Sequence, residues 1–345
     1  MKAAISDGRG RIWVDQVPRP EPGDYECLCR IDACASCTGT DKKLIRGQMP
    51  WAGPDKYPAV LGHESVGTVL EVGKKVRNLR PGDRVLRPAA WYNGTCEHGL
   101  YSWMAGYAEY GVVTDTAALL ADDPQAKFNY YANYQQKLPE DLDIGAADAT
   151  MLVTLKEIYS FIRDLAIGPG HRVAVLGAGA VGISMCFFSK LAGARVYMAA
   201  RRDKPLAAGL AAGADGVVNT AREPLTETLR RLSDGGVDFI LDAAGSAELL
   251  IDASAALNEH GAICSYAGNA NLAASFGKLE VPVNWRYICS PPAEISAHEH
   301  LISLARMKVI PFHLFYTEVL PLDRIAEGFD RIFAGESIKT VFTMG

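Results

Sequence analysis

The chain has 345 residues, with 40 Asp and Glu against 35 Lys and Arg and a formal net charge of −5. A chain of this length can bury a large core, and it more often forms two domains than one. The acidic balance argues against a nucleic-acid partner, because nucleic-acid binders usually carry a basic face. The N-terminus lacks the apolar core of a signal peptide and no run approaches the length of a membrane helix, so we expect no membrane partner and a cytoplasmic location.

The first part of the chain, up to about residue 120, is rich in short alternating runs that Gly and Pro interrupt. These runs include "RIWVDQV", "ECLCRIDA", "SVGTVLEVG", "GDRVLR" and "AEYGVV". The pattern predicts an antiparallel, barrel-like domain with tight turns.

The eight cysteines form no dense disulfide framework, so we expect reduced thiols. Four of them, Cys27, Cys29, Cys34 and Cys37, lie close together in the sequence and resemble a zinc or iron–sulfur knot. Cys27 and Cys29 alternate within a strand-like run, however, and both should point to one sheet face. We therefore disfavour a four-cysteine metal site.

From about residue 143, helical runs alternate with apolar strand-like runs. The helical runs include "ATMLVTLKEIYSFIRDLA" and "EPLTETLRRLSDGG", and the apolar runs include "RVAVLGAG", "ARVYMAA" and "DFILDAAG". Such alternation predicts a doubly wound parallel sheet with helices on both faces, and hence an α/β fold class. The alternation ends near Pro291 and Pro292, and we expect the final segment to return to the first domain.

The stretch "RVAVLGAGAVG" indicates a dinucleotide site. Gly177, Gly179 and Gly182 have the spacing GxGxxG between a predicted strand and a predicted helix, and Ala180 and Val181 lie between the last two glycines. Glycines at these places allow a tight turn, a close approach of the backbone to a pyrophosphate, and contact between helix and strand. The motif therefore predicts that a dinucleotide binds at the start of this helix.

The end of the next predicted strand indicates which dinucleotide is used. An acidic residue there accepts hydrogen bonds from the ribose hydroxyls of NAD. This chain has Ala200 instead, followed by Arg201 and Arg202. The missing carboxylate removes a repulsion with a 2′-phosphate, and an arginine supplies a forked donor for that group. We therefore predict NADP rather than NAD.

Five segments of the chain carry a family resemblance. They are "GHESVGTVLEVGKKVRNLRPGDRV" (62–85), "GYAEYGVV" (106–113), "GPGHRVAVLGAGAVG" (168–182), "DFILDAAGS" (238–246) and "IAEGFDRIFAGESIKTVFTM" (325–344). Together they resemble the medium-chain dehydrogenase/reductase superfamily, of the zinc-type alcohol and polyol dehydrogenase kind, over essentially the whole chain. The resemblance implies a GroES-like β-barrel catalytic domain over residues 1–142 and 291–345, with a doubly wound Rossmann domain over residues 143–290.

The resemblance also implies hydride transfer between an alcohol carbon and the nicotinamide, with a zinc ion as Lewis acid. The residues that match the family motif are Thr40 as a proton-relaying hydroxyl, Asp41 as an orienting group, and His63 and Glu64 in the metal shell. Lys43 stands where the family often has a histidine that passes the proton to solvent. It either takes part in that transfer or binds the phosphate or ribose of the cofactor.

Further cofactor contacts follow from the same resemblance. Lys339 matches a basic residue near the pyrophosphate, and Gly245 and Gly268 match positions where the backbone lies near the nicotinamide end. The family also suggests a homodimer or homotetramer formed through the edge of the Rossmann sheet. The substrate implied is a small-molecule alcohol or carbonyl compound.

The metal site departs from the family pattern. The usual loop reads Cys, any residue, Ser or Thr, Asp, whereas "CTGTD" puts Thr38 at the ligand position and displaces Cys37 by one. A catalytic zinc needs three protein ligands, so Cys37 and His63 require a third donor, which is either Glu64 or Asp148. The retained histidine favours a catalytic zinc, and the unassigned third ligand favours a site without metal.

The family's second, structural zinc takes four closely spaced cysteines, and here the corresponding lobe contains only Cys96. Cys96 and His98 cannot complete a tetrahedron, so we predict no structural zinc. The lobe is instead rich in aromatic residues, as is "FNYYANY" at 128–134. These side chains form either a pocket wall or lid, or a loop packed on the core or at a subunit contact.

Three functions are compatible with these observations. The first is an NADP-preferring oxidoreductase that interconverts a secondary alcohol, such as a polyol or sugar, and its ketone or aldehyde with zinc assistance. The second is a zinc-independent reductase of enones or quinones on the same fold. The third is a dinucleotide-binding sensor without turnover, which the intact "TD", "GHE" and "GAGAVG" motifs disfavour.

Overall fold

The structure is a computed structural model that describes residues 1–266 and 276–345. Gly268, predicted to lie near the nicotinamide, is outside the described residues. The chain forms two compact units, one of Met1–Thr154 with His298–Gly345 and the other of Leu155–Ala297. The junctions predicted at 142/143 and 290/291 both precede the junctions between these units.

The described residues contain helices and strands whose bounds are as follows. The strands are β1 (Lys2–Ser6), β2 (Ile12–Gln16), β3 (Glu26–Ala35), β4 (Ala59–Val60), β5 (Glu64–Val72), β6 (Arg84–Leu86), β7 (Cys96–Glu97), β8 (Leu100–Ser102), β9 (Tyr110–Thr114), β10 (Lys137–Leu138), β11 (Arg172–Leu176), β12 (Arg195–Ala200), β13 (Gly216–Asn219), β14 (Val237–Asp242), β15 (Leu257–Ser265), β16 (Arg286–Cys289), β17 (Glu318–Pro321) and β18 (Thr340–Thr343). The α-helices are α1 (Thr38–Ile45), α2 (Thr116–Asp122), α3 (Ala146–Asp164), α4 (Ala180–Leu191), α5 (Asp203–Ala211), α6 (Leu225–Leu232), α7 (Ala247–Ser254), α8 (His298–Arg306) and α9 (Ile325–Ala334).

The first unit is built on two sheets. One has the order β2-β1-β4-β8-β7, and the other has the order β10-β6-β5-β3-β18-β17 with β9 also paired to β3. Strand β18, from the C-terminal segment, pairs antiparallel with β3, as Phe342 does with Cys34. The C-terminal segment therefore packs into this unit.

Strand β3 also explains three of the four clustered cysteines. Cys27 and Cys29 are buried in a core cluster with Val69, Val85 and Val113. Cys34 is buried in the larger core of this unit. Burial raises the pKa of the Cys27 thiol to about 12 and raises the pKa of the Cys29 thiol well above its usual value, so both remain neutral core residues.

The second unit contains a parallel sheet with the strand order β13-β12-β11-β14-β15-β16. This order, with the first strand beside the fourth, is that of a dinucleotide-binding doubly wound sheet, in which ligands bind where the strand order reverses. The reversal lies between β11 and β14, whose residues pair in parallel from Val173 and Phe239 to Leu176 and Asp242. The predicted fold class, a β-barrel domain with a doubly wound Rossmann domain, is confirmed.

The lobe that carries the structural zinc in the family forms a hairpin here. Strands β7 and β8 pair antiparallel, with Cys96 opposite Tyr101 and Glu97 opposite Leu100. His98 and Gly99 make the turn with φ values of 53° and 77°. Two central residues with positive φ form the tight hairpin turn whose twist matches the strands. Backbone pairing thus organises this lobe.

None of the helices in the described ranges combines the length and the hydropathy that a membrane crossing requires.

Candidate active site

The loop "ASCTGTDKK" enters helix α1 through Cys37. Cys37 is the N-cap residue, with extended backbone at φ −114° and ψ 102°, and Thr38 is the first residue of the helix. The carboxylate of Asp41 accepts a hydrogen bond from the Cys37 backbone N–H at 2.8 Å. An acidic group near a helix N-terminus is stabilised by the exposed N–H groups and the helix dipole. The one-residue displacement of Cys37 from the family's ligand position therefore falls where the loop becomes a helix.

The motif "GHE" supplies the other members of the cluster. His63 directly precedes β5, and Glu64 is the first residue of that strand. One donor atom from each of Cys37, His63 and Glu64 lies within 4.8 Å of the others. His63 Nε2 and Glu64 Oε1 are 3.9 Å apart. The structure thus brings three of the four predicted metal-ligating residues together.

Asp41 lies on the opposite side of the His63 ring. Its Oδ1 atom is 3.6 Å from His63 Nδ1, and neither atom has a hydrogen-bond partner among the described residues. Its Oδ2 atom accepts a hydrogen bond of 2.7 Å from the hydroxyl of Tyr107, which is fully buried. Burial and then the nearby Asp41 raise the pKa of Tyr107 well above its usual value, so the phenol keeps its proton and donates it. His63 Nδ1 therefore faces Asp41, and Nε2 faces Glu64.

The charge balance at His63 is set by its neighbours. Burial lowers the pKa of a histidine, but the Cys37 sulfur and the Asp41 carboxylate together raise the pKa of His63 well above its ordinary value. Two potential anions beside a buried imidazole ring stabilise a positive charge at that ring. The same arrangement favours a cation, whether a proton or a metal ion.

Lys339 is buried in this cluster. Its ammonium group forms a short ion pair with Glu64 Oε2 and donates a hydrogen bond of 2.9 Å to Thr154 Oγ1. The resemblance implied a place for Lys339 near the pyrophosphate, and in the structure its Nζ contacts the Glu64 carboxylate. Because only Oε2 is engaged by Lys339, Oε1 faces the His63 side.

These residues fit a zinc ion. Zinc binds nitrogen and oxygen at about 2.0 Å and sulfur at about 2.3 Å, so ligand atoms of one tetrahedron are about 3.3 to 3.8 Å apart. Cys37, His63 and Glu64 offer sulfur, nitrogen and oxygen at separations that small side-chain adjustments bring into this range. His63 Nδ1 lies 3.6 Å from the Asp41 carboxylate, on the side where a ligating histidine commonly has an outer-shell carboxylate.

The remaining predicted catalytic and metal residues lie elsewhere in the same unit. Asp148 accepts a hydrogen bond of 3.0 Å from the Tyr316 hydroxyl and does not belong to the donor cluster. Thr40 is half-buried in the first turn of α1, and Lys43 is exposed three residues later. Residues three apart lie on neighbouring positions of a helix surface. Thr40 and Lys43 therefore lie on the same side of α1, with Thr40 nearer the loop of Cys37 and Lys43 exposed to solvent.

The aromatic residues of the two loops divide between core and surface. Trp91, Trp103 and Tyr107 are buried in the core of the first unit. Tyr130 is 70 % exposed. Tyr131 lies beside the cluster of Cys37, His63 and Glu64, because its hydroxyl is 3.3 Å from the backbone carbonyl of His63. Sequence reasoning identified these residues only as an aromatic group and could not separate their roles.

The glycine motif of the second unit has the geometry of a dinucleotide turn. Gly177 follows β11 with a φ of 104°, a conformation that favours glycine. A Cβ atom on Gly182 would lie 1.9 Å from the carbonyl oxygen of Gly177, whereas a Cβ on Gly179 would meet no atom within 4 Å. Gly179 is the N-cap of α4, and Ala180 and Val181 form its first turn. The open space at Gly179 lies where N–H groups at a helix N-terminus bind phosphates.

The turn that follows β14 lies beside the glycine motif. Asp242 Oδ1 accepts hydrogen bonds from the backbone N–H groups of Ala244 and Gly245, at 3.0 and 2.8 Å. A Cβ atom on Gly177 would approach the Ala244 nitrogen to 3.1 Å, so the turns after β11 and β14 are adjacent. Gly245, which has a φ of 66°, therefore belongs to the turn at the reversal of strand order.

The end of β12 carries the predicted determinants of NADP binding. Ala200 is the last residue of the strand, and Arg201 and Arg202 follow it on the exposed surface. Arg202 is the N-cap of α5. The nearby Asp203 pairs with Arg222 at 2.8 Å and accepts a hydrogen bond from Asn219 at 2.6 Å. The carboxylate of Asp203, which follows the two arginines, thus already has partners in Arg222 and Asn219.

Comparisons with known proteins agree with this architecture. Residues 23–123 match the family model described as "Alcohol dehydrogenase GroES-like domain", and residues 180–286 match the one described as "Zinc-binding dehydrogenase". The chain is 27 % identical to sorbitol dehydrogenase of Bombyx mori over 98 % of its own length and 97 % of that protein. It is 28 % identical to NADP-dependent isopropanol dehydrogenase of Thermoanaerobacter brockii, over 73 % of this chain and 71 % of that one.

The fold is shared with solved structures. Alcohol dehydrogenase TADH from Thermus sp. ATN1 superimposes with a TM-score of 0.77 at 24 % identity, covering 99 % of each chain. The GroES-like family model matches part of the first unit, and the zinc-binding dehydrogenase model matches part of the second. The chain therefore belongs to the medium-chain dehydrogenase/reductase superfamily, among its alcohol dehydrogenase-type oxidoreductases.

Proposed function

We propose that this enzyme prefers NADP and interconverts a secondary alcohol, of polyol or sugar type or a related compound, and its ketone or aldehyde with the help of one zinc ion. The similarity to a sorbitol dehydrogenase supports the polyol class, and the similarity to an NADP-dependent isopropanol dehydrogenase supports both the coenzyme and a secondary alcohol. The observation that carries the proposal is that donor atoms of Cys37, His63 and Glu64 lie within 4.8 Å of one another.

The residues have distinct roles in this reaction. Cys37, His63 and Glu64 hold the metal, and Asp41 keeps His63 Nδ1 protonated so that Nε2 presents its lone pair. A bound zinc ion supplies Lewis-acid polarisation of the alcohol or carbonyl oxygen. Thr40 relays the hydroxyl proton from the substrate, and the exposed side of α1 that also carries Lys43 leads that proton to solvent.

Lys339 regulates the charge of the third ligand. Its ion pair with Glu64 Oε2 balances one negative charge in a buried site that already holds Cys37 and Asp41. We therefore infer that Lys339 would lower the negative charge that Glu64 presents to a bound zinc ion, which Cys37 and His63 would also hold.

Metal analysis of protein purified without added metal tests the zinc assignment. We expect about one zinc ion per chain, and ketone reduction that is lost in chelator and restored by zinc but not by magnesium. Reduction of simple ketones, ketoses and enones should be compared in parallel. A metal-free protein with full activity on enones would instead support the zinc-independent reductase.

The coenzyme assignment makes a separate prediction. Replacing Arg201 with alanine should raise the KM for NADPH by about 10- to 100-fold, because a charge-assisted hydrogen bond to the 2′-phosphate contributes about 1.5 to 3 kcal/mol. The KM for NADH should change little, since NADH lacks that phosphate. Steady-state kinetics with both coenzymes measure the ratio.

Arg195→Ala is the matched control, because Arg195 is exposed on the same unit and begins β12, at the opposite end of the strand from Arg201. Its coenzyme ratio should stay near that of the unmodified enzyme. A preference for NADH in the unmodified enzyme would contradict the interpretation of Ala200, Arg201 and Arg202.

We also propose that the enzyme is a homodimer or homotetramer that uses the sheet edge at β16. Strand β16 is the last in the described sheet and pairs on one side only with β15. Val283, three residues before it, is 96 % exposed. An exposed strand edge beside an apolar side chain is a template for pairing with a second copy. Light scattering coupled to size-exclusion chromatography measures the mass.

A further inference from the structure

Arg87 lies directly after strand β6 in an unusual conformation. Its φ is 59°, in the left-handed region that arginine seldom adopts. The residue is buried, with only 4 % of its surface exposed. A buried guanidinium on a strained backbone is unfavourable unless its surroundings hold it in place. Such residues concentrate where a structure requires a particular geometry, so the contacts of Arg87 indicate what it does.

The contacts of Arg87 converge on His63. Arg87 Nη1 donates a hydrogen bond of 2.8 Å to the His63 carbonyl oxygen. The same nitrogen donates to the hydroxyl of Tyr131 at 2.8 Å, and that hydroxyl in turn donates to the His63 carbonyl at 3.3 Å. The Arg87 backbone N–H donates to the carbonyl of Ser65 at 2.7 Å. Arg87 thus holds the backbone on both sides of Glu64.

The His63 carbonyl belongs to the peptide group that joins His63 to Glu64. A peptide group is planar, so fixing its oxygen fixes the rotation of the plane between the two Cα atoms. Those Cα atoms carry two of the three residues of the metal cluster. The hydrogen bonds from Arg87 and Tyr131 therefore set the directions in which both ligand side chains leave the backbone.

The segment that carries Tyr131 is itself held in place. It is the short 3₁₀ helix Tyr130–Tyr134, and the side chain of Asn129 caps it by accepting from the Tyr131 N–H at 3.0 Å. The rings of Tyr131 and Tyr134 each lie 5.5 Å from the guanidinium carbon of Arg87, within the range of a cation–π contact. This segment therefore fixes the Arg87 side chain through stacking as well as hydrogen bonding.

We propose that Arg87 and Tyr131 are positioning residues of the metal site, which orient the His63–Glu64 peptide so that both side chains meet Cys37 at one ion. The inference rests on the proposed zinc role of that cluster and extends it to Arg87 and the 3₁₀ helix Tyr130–Tyr134. Neither residue supplies a ligand atom. Their effect should be visible in metal affinity and ligand geometry.

Tyr131→Phe is the most direct test, because it removes one hydroxyl and keeps the ring over Arg87. The apo enzyme is titrated with Co²⁺ against a competing chelator, and the visible spectrum reports thiolate and histidine coordination. We expect Co²⁺ affinity to fall about 10-fold, the lower end of the range for losing an outer-shell partner, with altered ligand-field bands. Arg87→Met should cause a larger loss, and Arg87→Lys should recover part of it because the ammonium still donates.

Tyr130→Phe is the matched control. It removes a hydroxyl from the same 3₁₀ helix, but that hydroxyl bonds Tyr134 at 2.9 Å and is exposed. Its affinity and spectrum should equal those of the unmodified enzyme. If the Arg87 variants fail to fold, Tyr131→Phe decides the question by itself.

The outcomes separate this inference from the proposed function. If the unmodified enzyme takes up no Co²⁺ or zinc, the metal role of the cluster and the positioning role are both wrong. If the unmodified enzyme binds Co²⁺ and Tyr131→Phe binds it with the same affinity and spectrum, the zinc proposal stands and the positioning role is wrong. A change only in the unfolding midpoint of Tyr131→Phe would likewise contradict the inference.

Discussion

Replacing His63 with alanine is expected to remove the metal and to lower kcat/KM for alcohol oxidation by at least about 1000-fold. Lewis-acid stabilisation of the substrate oxygen contributes several kcal/mol to the transition state, and each 1.4 kcal/mol corresponds to a factor of ten. Two donors, Cys37 and Glu64, do not suffice for a stable zinc site. Metal content by elemental analysis and steady-state kinetics on the same preparation measure both effects.

The controls for this prediction separate chemistry from folding. His63 is buried, and its loss also leaves the Asp41 carboxylate without the ring that faces it. His63→Gln keeps an amide that can donate to Asp41, so it should fold better while still losing the metal. His313→Ala, an exposed histidine of the same unit, should keep both metal and activity. Full activity in a folded, metal-free His63→Gln variant would rule out a catalytic zinc.

The sequence could identify the metal-site residues but not their arrangement. The displaced cysteine left two geometries open, because a one-residue insertion in a strand reverses the side chain whereas an insertion in a loop does not. In the structure, Cys37 is an N-cap and the helix begins at Thr38, so the insertion falls where no alternating ladder constrains it. Asp148, the fourth predicted metal ligand, instead accepts a hydrogen bond from Tyr316. Because Tyr316 is distant in the sequence, this contact could not be predicted.

The residues that sequence reasoning missed share one property. Tyr107, Arg87 and Tyr131 act on the site through hydrogen bonds to Asp41 and to the His63 carbonyl. None of them has a metal-ligating side chain, and no spacing rule connects them to "GHE". The positive φ of Arg87 has no signal in a sequence either, because arginine does not favour it.

The parallel sheet was predictable for a physical reason. Its strands are buried on both faces and so form nearly continuous apolar runs, which alternate with helices over short distances. Each run named in the sequence, such as "RVAVLGAG" and "DFILDAAG", is a strand of the sheet. The order of the strands within the sheet was not predicted, because local patterns do not specify which parallel strands are neighbours.

Gly182→Ala is expected to disrupt the Rossmann unit, whereas Gly179→Ala should leave it folded and weaken coenzyme binding. A Cβ on Gly182 would lie 1.9 Å from the Gly177 carbonyl oxygen, and no side-chain rotation relieves the contact because the backbone fixes both positions. Overpacking of this kind costs about 3 kcal/mol or more in the free energy of unfolding. Chemical denaturation of each variant measures that cost.

Gly179 belongs to the same glycine motif as Gly182 but has open space around it. Its backbone at φ −82° and ψ −177° is open to any residue, and a Cβ there would meet no atom within 4 Å. Alanine at this N-cap should therefore cost less than about 1 kcal/mol in stability. The added methyl would instead stand where the pyrophosphate approaches the N–H groups of α4, weakening one or two charge-assisted hydrogen bonds.

Titration of NADPH fluorescence with each folded variant measures this second effect. Gly179→Ala should raise the dissociation constant of NADPH by about 10- to 100-fold, in line with about 1.5 to 3 kcal/mol for a hydrogen bond to a charged group. Gly170→Ala is a control for replacing a glycine of this unit, because a Cβ there also meets no atom within 4 Å, although its φ of 88° strains alanine locally. If Gly179→Ala binds NADPH as tightly as the unmodified enzyme, the pyrophosphate does not approach the start of α4. If Gly182→Ala is as stable as Gly179→Ala, then the contact between α4 and the Gly177 turn is looser than the geometry requires, and the glycine spacing serves coenzyme binding alone.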